Sequence, residues 1–170
     1  MDWHTPLLIS ALLFLAFLMW RMRPAFGSGA RGAAAAVLLR EAKRRIENAK
    51  DDATRAEALS DAGDACAQSL GRTTGAVGYY LRAMRADPTS AAIVERAAKG
   101  LARRPNALES LLWRRLGAAA WTDAGRPPAI AALRHLAVLY AGPLRNRPRG
   151  RALHFALAAL GEPTSPPSEV

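Results

Sequence analysis

An all-α fold is what this sequence predicts: one apolar helix at the N-terminus and, after it, antiparallel helix pairs. Three observations predict it. Aromatic residues are only 6% of the 170, and Ala, Leu and Arg dominate, a composition that favours helix over strand. A long uncharged run opens the chain. Beyond it, apolar residues recur at i+3 and i+4 steps, interrupted by Gly, Pro and helix-capping residues.

The opening run, Trp3 to Trp20, reads WHTPLLISALLFLAFLMW, with His4 its single titratable side chain. As a helix it spans roughly 27 Å, close to the hydrocarbon thickness of a bilayer. Trp3 and Trp20 would sit at the two interfaces, Arg21 and Arg23 follow at once, and Pro24 ends the helix. A cleaved signal peptide carries its positive charge before the apolar run. Here Asp2 precedes the run and the arginines follow it, so residues 1–24 are expected to be a retained signal-anchor. Cationic flanks stay cytoplasmic. The helical domain is therefore expected on the inner side of a bacterial inner membrane, and a cleaved or periplasm-facing form is the alternative. Arg31, Arg40, Lys43, Arg44 and Arg45 extend the basic stretch towards an anionic leaflet.

Residues 25–32 form the next segment, and GSGARG from Gly27 to Gly32 predicts a flexible linker. The same residues satisfy G-x-G-x-x-G, with Asp51 and Asp52 about twenty residues on, as in a dinucleotide fingerprint. That fingerprint works only between a buried strand and a helix. No strand precedes or follows, so no cofactor is expected.

Residues 33–161 read as the helical domain. Leu38, Ala42, Ile46 and Ala49 mark one helix face. Asp51 and Asp52 open the next helix, with Ala56, Leu59, Gly63, Cys66 and Leu70 along it and Gly71 at its end. Thr73 or Thr74 caps a helix that reaches Ala86, and Asp87-Pro88 breaks the chain. Further helices are predicted from about Thr89 to Arg103, Asn106 to Asp123, Pro128 to Tyr140 and Pro148 to Leu160, giving about seven. The Pro/Ser-rich tail, 162–170, is expected to be disordered.

Two stretches repeat a spacing. Ala76-x3-Tyr80-x2-Ala83-x4-Pro88 places small residues where a paired helix approaches, a Tyr between them and a Pro at the turn. Its first helix offers Gly63 at the crossing, has Cys66 where an aromatic would stand, and carries one extra residue in the turn. Trp113-x2-Leu116-Gly117-x2-Ala120, followed by Ala129-x3-Leu133-x2-Leu136, is the second stretch. In it Trp113 would be a buried wedge, and Gly117 the point of closest approach to the helix carrying Ala129. Both stretches resemble the tetratricopeptide repeat. The resemblance covers Ala56 to Pro143 and is degenerate, because the copies lie 53 residues apart from Ala76 to Ala129 against a period of about 34. An extra helix separates them, or one register is wrong. An irregular helical bundle is the other reading, with the same fold class.

The resemblance implies a solenoid whose first helices line a ligand-binding face. By position that face would present Glu57, Ser60, Asp64 and Gln68 from the earlier unit, and Leu111, Arg114, Ala118 and Trp121 from the later one. Arg114 could pair with a peptide carboxylate. Trp121 is either an apolar anchor for a partner or an ordinary core residue.

No catalytic constellation stands out. His4, His135 and His154 are far apart and lack a ligand partner at i+3 or i+4, so no metal site is expected. No Walker A loop, G-x-S-x-G or kinase-like set occurs. Cys66 cannot form an intrachain disulfide and reads as a small core residue. The net charge of +10 points to anionic partners, with Arg145, Arg147, Arg149 and Arg151 its densest cluster. That cluster has no interleaved aromatic and no nucleic-acid motif. The sequence thus reads as a non-enzymatic scaffold that holds a protein partner at the membrane, without a small-molecule substrate. The alternative is a membrane-tethered binder of nucleic acid or anionic lipid through its arginine patches.

Overall fold

The computed structural model describes residues 10–17, 29–69, 71–118 and 122–162, and every regular element among them is helical. The chain divides into two units, Met1–Ala34 and Ala35–Val170. In the first unit, residues 10–17 form helix α1, with Leu12, Leu13, Phe14, Leu15 and Phe17 all exposed. Among the described residues no helix is long and apolar enough to cross a membrane. The predicted span is described only over 10–17, and Trp3, Trp20, Arg21 and Arg23 lie outside the described residues.

Helix α2 is Gly29–Asn48. It starts inside the segment predicted as a flexible linker, so Gly29–Gly32 are helical and that expectation fails for them. The four consecutive alanines that follow are the strongest helix formers, and they offset the glycines upstream. The face of α2 also differs from the sequence reading. Ala35 and Ala42 are buried and Leu39 and Ile46 pack on the core, whereas Leu38 is exposed. The inward face is therefore displaced by one residue at its N-terminal end.

Helix α3 is Asp52–Asp64. Asp51 caps it, accepting the Thr54 N–H at 2.7 Å and the Thr54 hydroxyl at 2.8 Å. These bonds hold its carboxyl below the usual aspartate value, as expected for a charge at a helix N-terminus. The helix continues as a π-helical turn, Ala65–Ser69. A π turn takes up one residue more than an α turn, and this is where the sequence carries an extra residue. Gly71, at φ +60°, then reverses the chain. Helix α4 is Thr73–Ala86, and Arg72 occupies its N-cap without a side-chain bond, so neither Thr73 nor Thr74 is the cap.

Helix α5, Ala91–Gly100, is shorter than predicted. Asp87 accepts the Thr89 N–H at 3.1 Å and its hydroxyl at 2.9 Å, a side-chain turn that keeps this segment out of the helix. Helix α6 is Pro105–Ala118, and Asp123–Gly125 form a separate 3-10 turn leading into α7, Arg126–Ala141. Helix α8, Arg147–Ala159, is capped by Asn146.

The principal contacts join helices one or two places apart. α3 packs on α4 and α5, α4 on α5 and α6, α5 on α6 and α7, α6 on α7, and α7 on α8. Ala58, Ala62, Ala76, Ala83, Ala97 and Ala132 are wholly buried, and such small residues let helix axes approach closely. Between them Tyr80 is fully buried. A β-carbon added at Gly63 would lie 2.7 Å from the Tyr80 ring, and one at Gly100 would collide with its hydroxyl. Tyr80 is thus clamped between two glycines on α3 and α5.

Candidate interaction surface

The residues assigned to a ligand face do not converge. Glu57 and Gln68 are exposed on α3 and its π turn, and Arg114 and Ala118 are exposed on α6. Ser60 is 1% exposed and donates to the Ala56 carbonyl at 2.9 Å, and Leu111 is wholly buried. Neither side chain can reach a ligand on the surface, so both leave the face drawn from the sequence. The cause is register: Ser60 and Leu111 share the inward stripes of their helices with Ala56 and Leu108. Trp121 lies outside the described residues.

Asp64 is engaged inside the protein. Its carboxylate accepts the Tyr80 hydroxyl and Arg96 Nε at 2.6 Å. Arg96 also donates to Asp61 at 2.5 Å, and Arg45 reaches the other Asp61 oxygen at 2.5 Å. Burial alone would lower the Arg96 pKa, but the two carboxylates hold it above the ordinary arginine value. Burial, the bond to Asp64 and the Asp64 charge all push the Tyr80 phenol well above its usual range. Four helices are tied together here, α2 through Arg45, α3, α4 and α5. The group is a structural clasp with no unpaired acid left for chemistry.

The second register drawn from the sequence does not describe α6. Trp113 is 44% exposed, and a β-carbon at Gly117 would meet nothing within 4 Å. The inward residues of α6 are Leu108, Leu111, Leu112, Arg115 and Leu116. Trp113 is instead tethered at the surface, its indole N–H donating to the Tyr140 hydroxyl at 2.9 Å. That hydroxyl donates to Glu109 at 2.5 Å, and the Arg149 guanidinium stacks over the Tyr140 ring at 5.7 Å. The signal missed in the sequence was Glu109, four residues before Trp113, which brings a polar partner to that face.

Arg115 is the other unforeseen feature. It is buried and donates to the Pro88 carbonyl, linking α6 to the α4–α5 turn. Burial lowers its pKa against the opposing pull of Asp87. His135 meets Glu95 at 2.7 Å across α7 and α5. His154 Nδ1 is buried without a partner. Among the described residues no cluster of His, Cys, Asp and Glu could hold a metal ion. Burial pushes the Cys66 thiol up against the pull of Arg72 and Lys43, which suits an inert core residue.

The four arginines near α8 divide. Arg149 lies 3.5 Å from Glu109. Arg145, at φ 46°, and Arg147 line an open hollow of about 450 Å³ with Ala141 and Gly142. No known protein family, curated protein or solved structure matches the chain at a significant level.

Proposed function

We propose that this chain is a membrane-anchored, non-enzymatic scaffold. In this reading residues 1–24 form a single inner-membrane span, residues 25–28 lead out of it, and a tetratricopeptide-like solenoid on the cytoplasmic side binds a protein partner. The observation that carries it is the contact pattern, in which the principal contacts from α3 to α8 join helices one or two places apart. A row of helix pairs produces that pattern, and such rows serve as extended binding surfaces. Its phase is set by the α3–α4 pair, where Gly63, Tyr80 and Ala83 meet. The α3–α4 and α7–α8 pairs are the closest in the row, and α5 and α6 lie between them, each packing more on α7 than on the other. The surface residues offered to a partner are Glu57 and Gln68 on α3 and its π turn, with Arg114 and Ala118 exposed separately on α6. Tethering confines the partner to two dimensions and raises its effective concentration without new contacts.

Crosslinking in native membranes, with and without residues 1–24, tests the reading. A discrete partner that depends on the anchor and is lost in a Glu57→Arg, Gln68→Arg double variant supports it. Digestion of the helical domain by protease added to intact spheroplasts refutes the orientation, and a mature N-terminus beyond Arg23 refutes the anchor. A second reading, a tethered nucleic-acid binder, is favoured by the arginines around α8. It predicts affinity that collapses between low and moderate salt, whereas a peptide held on the helical row changes little.

A further inference from the structure

We propose that the α8 end of the domain is a contact surface for an anionic lipid bilayer. Arg145, Arg147 and Arg151 would take headgroup phosphates while Phe155 enters the interfacial layer. The proposal rests on the membrane-anchored reading above and deepens it.

Helix α8 turns Gly150, Leu153 and Leu157 to the core. On its opposite side Arg151, Ala152, Phe155, Ala158 and Ala159 are all exposed. Phe155 is 74% exposed, more than any other large apolar side chain among the described residues. The outward side of this last described helix is thus apolar where the end of a helical row is expected to be polar.

Charge identifies what covers it. Helix α8 contains no acidic residue. The carboxylates that contact this helix or directly follow it are taken: Glu109 by Tyr140 and Arg149, and Glu162 by Arg134. Arg145, Arg147 and Arg151 make no ion pair among the described residues. Cations at the start of a helix also oppose its dipole, so an anion there relieves both repulsions. The hollow beside Arg145 and Arg147 has room for a phosphate group.

The arrangement separates the two chemistries along the helix. Cations cluster at its first turn, and the rest of the outward stripe is Ala152, Phe155, Ala158 and Ala159. A single-stranded nucleic acid is held by cations and aromatics interleaved along a groove. A bilayer offers phosphates above and an apolar layer below, the order found here. A second copy seated on the same face would add like charges to the cluster.

The test uses the full chain with Cys66→Ala and Ala159→Cys, labelled at position 159 with a polarity-sensitive fluorophore. It is reconstituted into phosphatidylcholine vesicles or into vesicles rich in phosphatidylglycerol. A blue shift and protection from a water-borne quencher are expected with phosphatidylglycerol only. Both should be lost in Arg145→Gln, Arg147→Gln, Arg151→Gln and in Phe155→Ser, with unchanged helicity and thermal midpoint. A label equally wet in both vesicles overturns the proposal, as does a shift that survives both variants. A shift produced by short single-stranded DNA, with none from phosphatidylglycerol, overturns it in favour of nucleic acid. Extraction of the chain by alkaline carbonate refutes the anchor instead, whatever the label reports.

Discussion

Changing Gly63 to Ala should destabilise the domain, although Ala is the better helix former. In an open helical position the change gains up to about 1 kcal/mol. At Gly63 the new methyl would lie 2.7, 2.9 and 3.0 Å from three Tyr80 ring atoms, all inside van der Waals contact. The ring cannot swing away, because it is wholly buried and its hydroxyl is held by Asp64 beside Gly100. Overpacking of this kind costs about 1–3 kcal/mol, so the net loss is roughly 1–2 kcal/mol. For a domain of this size that lowers the thermal midpoint by about 3–8 °C. Gly117→Ala is the internal control, since nothing lies within 4 Å of its β-carbon. It should be neutral or stabilising by up to about 1 kcal/mol. Urea unfolding followed by far-UV circular dichroism reads both. Combining Gly63→Ala with Tyr80→Leu should remove most of the penalty, because the clashing ring is gone. A Gly63→Ala protein as stable as the parent would refute the clamp, and equal effects at the two glycines would refute the packing argument behind it.

Other outcomes follow from the polar clasp and the caps. Tyr80→Phe should cost about 1–2 kcal/mol through loss of the bond to Asp64. The Tyr80 pKa is raised on folding, so its contribution is complete below the ordinary phenol value of 10.0 and is lost as pH rises beyond it. Alkaline melts of the parent should therefore fall more steeply than those of Tyr80→Phe. Asp51→Ala should lower the thermal midpoint at neutral pH. The Asp51 pKa is lowered on folding, so that deficit should close as pH falls through 3.8 and below. Arg96→Met leaves Asp64 without its guanidinium and should cost about 1–2 kcal/mol, discounted for partial exposure, read by urea unfolding at low and high salt. Trp113→Ala should cost less than the 3–5 kcal/mol of a buried tryptophan, and titration of its fluorescence with quencher should show an accessible indole.

Periodicity carried the all-α class and most of the helix limits. Asp87-Pro88, Gly71 and the paired prolines at Pro127 and Pro128 are local signals that act wherever they fall. The α3–α4 crossing was also legible, since Gly63, Ala76, Tyr80 and Ala83 are a spacing that only close approach explains. Register failed where apolar residues outnumber inward positions. On α6 the leucines at 108, 111, 112 and 116 compete with Trp113 for the core, and Glu109, one turn before it, is the single local sign that the largest side chain loses. On α2 an all-Ala start leaves Leu38 and Leu39 equally eligible. The candidate site was the least legible part, because Asp64 is withdrawn by Arg96 and Tyr80, residues 32 and 16 positions away. Such long-range pairing leaves no trace in a local pattern.

The contact pattern also bears on how the domain forms and opens. Because the principal contacts join helices one or two places apart, most native contacts close short loops. Low contact order of this kind predicts folding in microseconds to milliseconds. For the helical row proposed above, stability is a sum over neighbouring interfaces, so opening should begin at the ends and pass inward. Helix α8, which leans chiefly on α7, should exchange its amide hydrogens first, while α4 and α5, covered on both sides, exchange last. A chain ending at Ala141 would on this view lose one interface and keep the rest, including the clasp around Tyr80.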